Sequence, residues 1–259
     1  MVIEIPKSYM GEPIKGAMDK ILKENSQAIK PKGKSSKKAS PNFVPSPSNL
    51  TDADKYIILP EAQHGSYSYP EMLVSMNKRH FNKDWNEAHE LLIKDNAYML
   101  SIRQFVDFLS LLKSGKAFDG NGKRLDKGKL EDVLNDIIEV REPYRAEWLD
   151  AKFEDGNIVY HTLERKSGHY TLVETKEPLA DYIKKDKSPG INLDDWLKKA
   201  NNHGLPTPKT NKGKMYYWAP TEGAVAGFWA DSGGADLYCG RNPSFSNESL
   251  GVRAASPKI

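Results

Sequence analysis

Histidines are the side chains of this chain best suited to acid–base or metal chemistry at neutral pH. Six occur, at positions 64, 80, 89, 161, 169 and 203. His89 precedes Glu90, but the second histidine that a zinc protease helix needs four residues later is absent. A Gly-x-Ser-x-Gly turn and a phosphate-binding loop are absent too. His161 and His169 flank a predicted hairpin, where they could form a catalytic or metal pair. This pair defines one alternative, a hydrolase or metal-dependent enzyme, although histidines on a sheet more often have only a structural role.

The single cysteine, Cys239, excludes an intramolecular disulfide, a cysteine-rich zinc site and a two-thiol redox motif. It alternates with Tyr238 and Gly240, so a strand here would turn the thiol away from them, to a side where a buried, inert thiol is expected. We therefore assign no catalytic residue, no metal ligand and no cofactor from the sequence.

The segment from Met215 to Pro257 indicates binding rather than catalysis. It contains no lysine, and Gly, Ser and aromatic residues accumulate in it. Alternation from Ala235 to Asn242 would place Asp236, Tyr238, Gly240 and Asn242 on an outer face, and Ala235, Leu237, Cys239 and Arg241 on the opposite one. Rigid rings among small polar residues are typical of binding loops. Composition leaves open an ordinary glycine-rich loop bundle.

The chain of 259 residues has a net charge of +3, and the charge is unevenly distributed. Residues 26–50 contain five lysines and no acid, so the remainder sums to −2. We therefore expect no nucleic-acid binding by the folded body. Residues 1–50 are predicted to be an arm or linker, partly disordered, with a short helix near Ile14–Leu22, and residues 51–259 to be the folded domain. The sequence has no apolar run of about 18 residues, so we expect no membrane span. It also shows no signal peptide, so we expect a cytoplasmic location before any assembly.

Start and stop signals predict the elements of this domain. Two helices are expected to begin at capping pairs: one after Asp84, paired with Glu87, and one after Ser101, paired with Gln104, which ends at Gly115. Two more are expected over Leu130–Ile138 and, after Asn192, over Leu193–Ala200. Strands are expected at Tyr56–Pro60 and in an antiparallel meander over 148–154, 157–164 and 169–175. Because the predicted helices precede the predicted meander along the chain, instead of alternating with its strands, their order favours an α+β domain over a wound parallel sheet.

The stretch from Phe228 to Ala255 resembles a segment of a known protein family. With its Leu250-Gly251-Val252-Arg253-Ala254 ending, it resembles the carboxy-terminal region of C-type-lectin-fold proteins. Among these it is most similar to the variable proteins of diversity-generating retroelements, in particular those of archaeal viruses. The resemblance implies a C-type lectin-like fold with an antiparallel sheet and an N-terminal arm, in which the helices near Trp85 and Ser101 flank the sheet. It also implies that the last strand, Gly251–Ala255, pairs back with the first, Tyr56–Pro60.

In such systems, error-prone copying at template adenines diversifies chosen codons, typically Asn codons, which can never become Lys codons. The resemblance therefore explains the missing lysine and implies a variable ligand-binding region at about residues 224–255. The implied ligand-binding positions are Gly227, Trp229, Gly233, Gly234, Asp236, Tyr238, Gly240, Asn242, Ser244, Phe245, Asn247 and Ser249. Trp229 cannot arise from an Asn codon in this way, and Leu237, Cys239 and Arg241 are expected to be scaffold.

Two activities known among proteins of this fold are not expected here. Sulfatase-activating enzymes use paired cysteines, and this chain has one cysteine. Calcium-dependent sugar-binding lectins use a Glu-Pro-Asn or Gln-Pro-Asp tripeptide together with Trp-Asn-Asp, and none of these tripeptides occurs in this sequence. The resemblance thus implies a display protein, without enzymatic activity or cofactor, whose variable surface binds diverse partners. We expect these to be proteins on a host or target-cell surface, bound during virus–host attachment, and the chain itself to be virion-associated.

Overall fold

The computed structural model of the protein describes residues 8–9, 12–13, 36–39, 52–166 and 169–258. The chain divides into two units, residues 1–34 and 35–259. The first contains an antiparallel pair of two-residue strands, Ser8–Tyr9 (β1) and Glu12–Pro13 (β2). The helix predicted near Ile14–Leu22 lies outside the described residues.

Four α-helices occur in the described part of the second unit, each preceded by a side chain that caps its amino terminus. Asp84 and Glu87 form a capping box before α1 (Trp85–Lys94), and Ser101 and Gln104 form another before α2 (Ile102–Ser114). Gly115, in the left-handed conformation at φ 68°, ends α2. Asp126 caps α3 (Lys127–Ile138) and Asn192 caps α4 (Leu193–Lys199). The helices predicted from these signals are confirmed.

The strands of the second unit are Ser36–Ala39 (β3), Tyr56–Leu59 (β4), Ala62–His64 (β5), Tyr67–Tyr69 (β6), Met72–Arg79 (β7), Tyr98–Met99 (β8), Arg145–Glu154 (β9), Asn157–Lys166 (β10), His169–Pro178 (β11), Lys187–Ile191 (β12), Met215–Trp218 (β13), Val225–Asp231 (β14), Gly234–Arg241 (β15) and Leu250–Pro257 (β16). The predicted meander is confirmed as β9, β10 and β11. Asp155 and Gly156 both have positive φ, at 53° and 70°, which suits a tight hairpin turn between β9 and β10. The domain is α+β, as predicted. β3 lies within the segment predicted to be a linker and pairs with β11.

Twelve of the strands that the structure describes form one large sheet in the second unit, and β9 is its central strand. β9 pairs antiparallel with β14 along one edge; along the other it pairs in parallel with β16 and then antiparallel with β10. The predicted pairing of the last strand with Tyr56–Pro60 is wrong. β16 pairs with β7, and β4 lies on the other edge of β7 in the same sheet.

Arg253 explains why β16 lies between β7 and β9. Its side chain is 1% exposed, and its Nε donates to Glu147 Oε2 on β9 at 3.1 Å. One terminal nitrogen donates to the carbonyl oxygens of Ser75, at 3.0 Å, and Met76 on β7. A buried guanidinium needs such partners on every side, so Arg253 fixes the position of β16.

The sheet separates two cores, because neighbouring residues of a strand point to opposite faces. Phe228 faces the larger core, where it packs against Phe105 of α2 and Trp196 of α4. The next residue, Trp229, faces a smaller core under α1. Trp148 packs edge-on against Trp229 there, with ring centroids 5.8 Å apart. Tyr238 and Phe245 lie at the margin of this smaller core, which therefore supports the predicted binding surface.

Candidate functional site

The predicted binding residues lie on β14, on β15, in the turn between these two strands, which contains Gly233, and in the loop of residues 242–249. Val225 pairs with Arg241 while Gly227 pairs with Tyr238, so β15 has one extra residue in this interval. Such a bulge reverses the alternation of side chains beyond it. The expectation that Arg241 points away from Tyr238 is therefore wrong, because the bulge brings both side chains to the same face.

Arg241 lies at the centre of a group of aromatic rings, which we call the ring cluster: Trp229, Tyr238 and Phe245 around the Arg241 guanidinium. The guanidinium carbon is 4.7 Å from the Trp229 ring centre, 4.4 Å from that of Tyr238 and 4.6 Å from that of Phe245. These distances are typical of cation–π contacts. Arg241 Nε is buried without a hydrogen-bond partner among the described residues, and no described carboxylate forms an ion pair with Arg241.

The structure divides the predicted positions by exposure. Gly233, Asn242, Ser244 and Asn247 are exposed. Gly234, Tyr238, Gly240, Phe245 and Ser249 are partly exposed, whereas Gly227, Trp229 and Asp236 are buried. The prediction that Asp236 faces solvent is wrong, because large aromatic residues flank it on both neighbouring strands: it pairs with Trp229 of β14 and with Tyr216 of β13. Leu237 and Cys239 are fully buried, as predicted.

Two of the predicted glycine positions are constrained by the backbone. A Cβ at Gly227 would collide with the Trp229 indole ring and lie 3.0 Å from the Glu147 carbonyl oxygen. Gly234 has φ 131°, a conformation that other residues rarely adopt. Gly227 therefore gives the Trp229 indole the space that it occupies in the ring cluster, and neither glycine can be replaced without a shift in its surroundings.

Asp236 is a buried acid that forms no ion pair among the residues that the structure describes. Its Oδ1 atom has no hydrogen-bond partner among the described residues. Burial, with a smaller contribution from Asp231, raises the pKa of Asp236 to about 7, and the positive charge of Arg241 opposes this rise. The carboxyl group therefore changes its charge close to neutral pH.

The loop of residues 242–249 is fixed by its own side chains. Asn242 Oδ1 accepts a hydrogen bond from the Ser244 backbone N–H at 2.9 Å, and Asn247 Oδ1 accepts one from the Ser249 backbone N–H at 2.8 Å. Such turns are typical of Asn. The Pro243 carbonyl oxygen also accepts a hydrogen bond from the backbone N–H of Trp85, the first residue of α1, at 3.0 Å. Asn242 and Asn247, predicted as ligand contacts, thus also hold the loop in shape.

The histidines form a different group from the predicted one. In the hairpin of β10 and β11, His161 pairs with Glu174 and His169 pairs with Lys166. The expected pair of His161 and His169 is therefore wrong, because the register separates them along the strands. His161 instead lies beside His89 of α1 and Asp150 of β9, and we call these three residues the histidine–aspartate cluster.

Asp150 is the centre of the histidine–aspartate cluster. Its side chain is 1% exposed; Oδ1 lies 3.1 Å from His161 Nδ1 and 3.4 Å from His89 Nε2, and Oδ2 accepts the His161 backbone N–H at 2.6 Å. Burial disfavours the charged carboxylate, but His161 and His89 outweigh burial and hold the pKa of Asp150 below its usual range. Burial likewise opposes a charge on His161, yet Asp150 raises its pKa, whereas burial keeps the pKa of His89 low.

Sequence reasoning missed Asp150. A signal was present: the acid stands between Leu149 and Ala151 in a strand that is buried throughout its first seven residues. A buried charge needs partners from elsewhere in the fold. Only the fold reveals that these partners come from α1 and β10.

No family model, curated protein or solved structure matches this chain. None of the helices described above is long and apolar enough to cross a membrane. The function must therefore be inferred from the residues and the geometry of this chain.

Proposed function

We propose that this chain is a ligand-binding display protein with a C-type lectin-like fold. Its binding surface, formed by β14, β15 and the loop of residues 242–249, binds protein targets on a host or target-cell surface during virus–host attachment. The ring cluster carries this proposal, because it sets an arginine among three aromatic rings beside an exposed loop of small polar residues. No reaction is required.

The arrangement of the sheet supports the fold assignment. β16, which contains the Gly251-Val252-Arg253 sequence, pairs with β7 from the first part of the domain and with the central β9. Helices pack on both faces of the sheet, α1 against β16 and α2 and α3 against β9. A C-type lectin-like fold would likewise bring the two ends of the domain together and leave the loop before the last strand free to bind.

The chemistry of the ring cluster favours a protein ligand with an acidic group. Trp, Tyr and Arg are the residues that dominate binding energy at protein interfaces. The guanidinium of Arg241 is oriented by its three rings and forms no ion pair with a described carboxylate, although its positive charge also acts on the buried Asp236. A carboxylate of the partner would form a charge-assisted hydrogen bond there. The exposed residues Asn242, Ser244 and Asn247 would form the polar rim around this centre.

The residue at position 236 suggests that the side chains of this binding surface were not selected for the stability of the fold. A buried carboxylate oxygen without a hydrogen-bond partner, such as Asp236 Oδ1, costs stability, so selection for folding alone would favour its replacement. Diversification of a binding surface would instead produce such residues by chance and retain them when the scaffold tolerates the cost. The buried Leu237 and Cys239 on either side of Tyr238 would supply that scaffold.

The surrounding DNA provides the first test. We expect a reverse transcriptase gene and a repeat nearly identical to the codons of residues 224–255, differing at adenines of the repeat. Copies of the gene from different isolates should differ at the exposed positions and agree at Leu237, Cys239 and Arg253. A locus that lacks the repeat, or isolates whose differences fall on these three residues, would contradict the proposal.

A pair of displayed libraries provides the second test. One library varies Tyr238, Gly240, Asn242, Ser244 and Phe245; the matched control varies the exposed α3 residues Lys127, Lys129, Glu131, Asp132 and Asn135. Both should yield mostly folded protein, measured as soluble yield and cooperative melting. Selection against a panel of purified cell-surface proteins should enrich specific binders from the first library far more often than from the control. Equal enrichment, or general unfolding of the first library, would refute the assignment of this surface.

A further inference from the structure

Three nitrogen and oxygen atoms of the histidine–aspartate cluster converge on one small volume. Asp150 Oδ1 lies 3.1 Å from His161 Nδ1 and 3.4 Å from His89 Nε2, and the potential ligand atoms of the three residues are all within 4.8 Å of one another. Bonds of about 2.0–2.1 Å around a tetrahedral zinc ion place neighbouring ligand atoms about 3.3–3.4 Å apart. The two short distances are therefore close to the edges of a tetrahedral coordination shell.

His89 Nε2 is a buried nitrogen atom without a hydrogen-bond partner among the described residues. It lies 3.4 Å from Asp150 Oδ1, but the geometry is not that of a hydrogen bond, and the atom is buried without another partner among the described residues. Leaving a buried polar atom without a partner destabilises the folded state. A cation bound by the Nε2 lone pair would satisfy this atom and the Asp150 carboxylate together.

The surroundings hold the three side chains in place. The Trp85 ring packs against the His89 ring, with centroids 4.2 Å apart, and the His161 backbone N–H fixes Asp150 through its Oδ2 atom at 2.6 Å. Asp150 Oδ1 faces both imidazoles and is hydrogen-bonded to His161 Nδ1, so a metal ion would take the place of the proton that these two atoms share. Contacts outside the ligand atoms orient metal ligands in the same way in known sites.

We propose that His89, Asp150 and His161 bind a divalent transition-metal ion of the zinc type. Two imidazole nitrogens and one carboxylate oxygen suit such an ion, whereas calcium and magnesium prefer sites made of oxygen atoms. Three protein ligands leave one tetrahedral position for water or a small anion. His89 and His161 also line a cleft of about 320 Å³, together with Lys152, Glu154 and Glu174. The site is distinct from the proposed binding surface and does not depend on it.

The test uses the full chain after treatment with a chelator. Zinc binding is measured by equilibrium dialysis with metal analysis and by calorimetry, for the wild type and for His89→Gln and His161→Gln. His203→Gln is the matched control, because His203 is also buried and also bonded to a carboxylate, Glu177 at 3.1 Å, but lies outside the cluster. His80→Gln controls for adventitious binding at a surface histidine–aspartate pair.

We expect one zinc ion per wild-type chain, unchanged binding in both controls, and binding weakened at least tenfold in each cluster variant. Zinc should also raise the Tm of the wild type and the controls more than that of the cluster variants. Cobalt added to the wild type alone should give the intense visible absorption of a four-coordinate ion, a readout that needs no variant to fold. Absence of stoichiometric zinc binding, a weak six-coordinate cobalt spectrum, or equal losses in the controls would overturn the proposal.

Discussion

Replacement of Asp236 by Asn should make the protein more stable at alkaline pH and change little at acid pH. The carboxylate is buried between β13 and β14, its Oδ1 has no hydrogen-bond partner among the described residues, and its pKa is raised to about 7. The unfolded chain releases this proton near the ordinary value of 3.8. Between these two values the folded state binds more protons than the unfolded state, so Asp236 lowers the free energy of unfolding as pH rises.

The magnitude follows from the two pKa values. At about 1.4 kcal/mol for each pH unit, the interval between 3.8 and about 7 corresponds to at most about 4 kcal/mol lost by pH 8. Asn cannot become charged but leaves a buried polar atom without a partner, at a cost of about 1–3 kcal/mol. We therefore expect the variant to exceed the wild type by about 1–3 kcal/mol at pH 8, with the difference declining towards zero or below by pH 4.5.

Urea unfolding of both proteins at pH 4.5, 6, 7 and 8 measures this difference. Other groups titrate in the same range, but they contribute equally to both proteins and cancel. Glu248→Gln is the control, because it removes one negative charge from an exposed position of the neighbouring loop. A difference between Asp236→Asn and wild type that stays constant from pH 4.5 to 8 would show that Asp236 is solvated, and the reasoning from burial would fail.

Three further predictions concern the packing. Arg253→Ala should cost about 3–5 kcal/mol in urea unfolding, because it leaves a buried carboxylate without its partner; a loss below about 1 kcal/mol would contradict its role in placing β16. Leu237→Ala should cost about 2–5 kcal/mol, and Tyr238→Ser clearly less, because only Leu237 is fully buried; equal losses in Tm would contradict the division into scaffold and binding surface. Gly227→Ala should lower the Tm by displacing an indole ring, whereas the helical Gly128→Ala should raise it slightly; tolerance of Ala at 227 would contradict the packing beneath the ring cluster.

The elements that the sequence predicts correctly depend on local interactions. Capping at Asp84 and Ser101 is decided within one helical turn, so residue types alone reveal where α1 and α2 begin. The turn at Asp155-Gly156 depends in the same way on two residues that accept positive φ. Burial of Leu237 and Cys239 agrees with simple strand alternation from Ala235, which the bulge does not yet reverse at these two residues.

The features that the sequence could not provide depend on pairing between distant segments. The bulge that turns Arg241 towards the rings is visible only in the register of β14 and β15. The burial of Asp236 requires β13 as a second neighbour of β15, which no local pattern indicates. The histidine–aspartate cluster joins three elements, and the spacing of His89, Asp150 and His161 along the chain matches no motif.

The hydrogen bonds of the loop of residues 242–249 have a consequence for the thermodynamics of recognition. Asn242 and Asn247 close two turns, and Pro243 is bonded to α1, so the loop is already ordered before a ligand arrives. A preorganised loop loses little conformational entropy on association, and more of the contact energy then appears as affinity. Replacing side chains that do not close these turns would change the enthalpy of binding while the entropic cost stayed nearly constant. One rigid backbone could thus bind different ligands, because the loop of residues 242–249 loses its conformational entropy during folding and not again when each ligand binds.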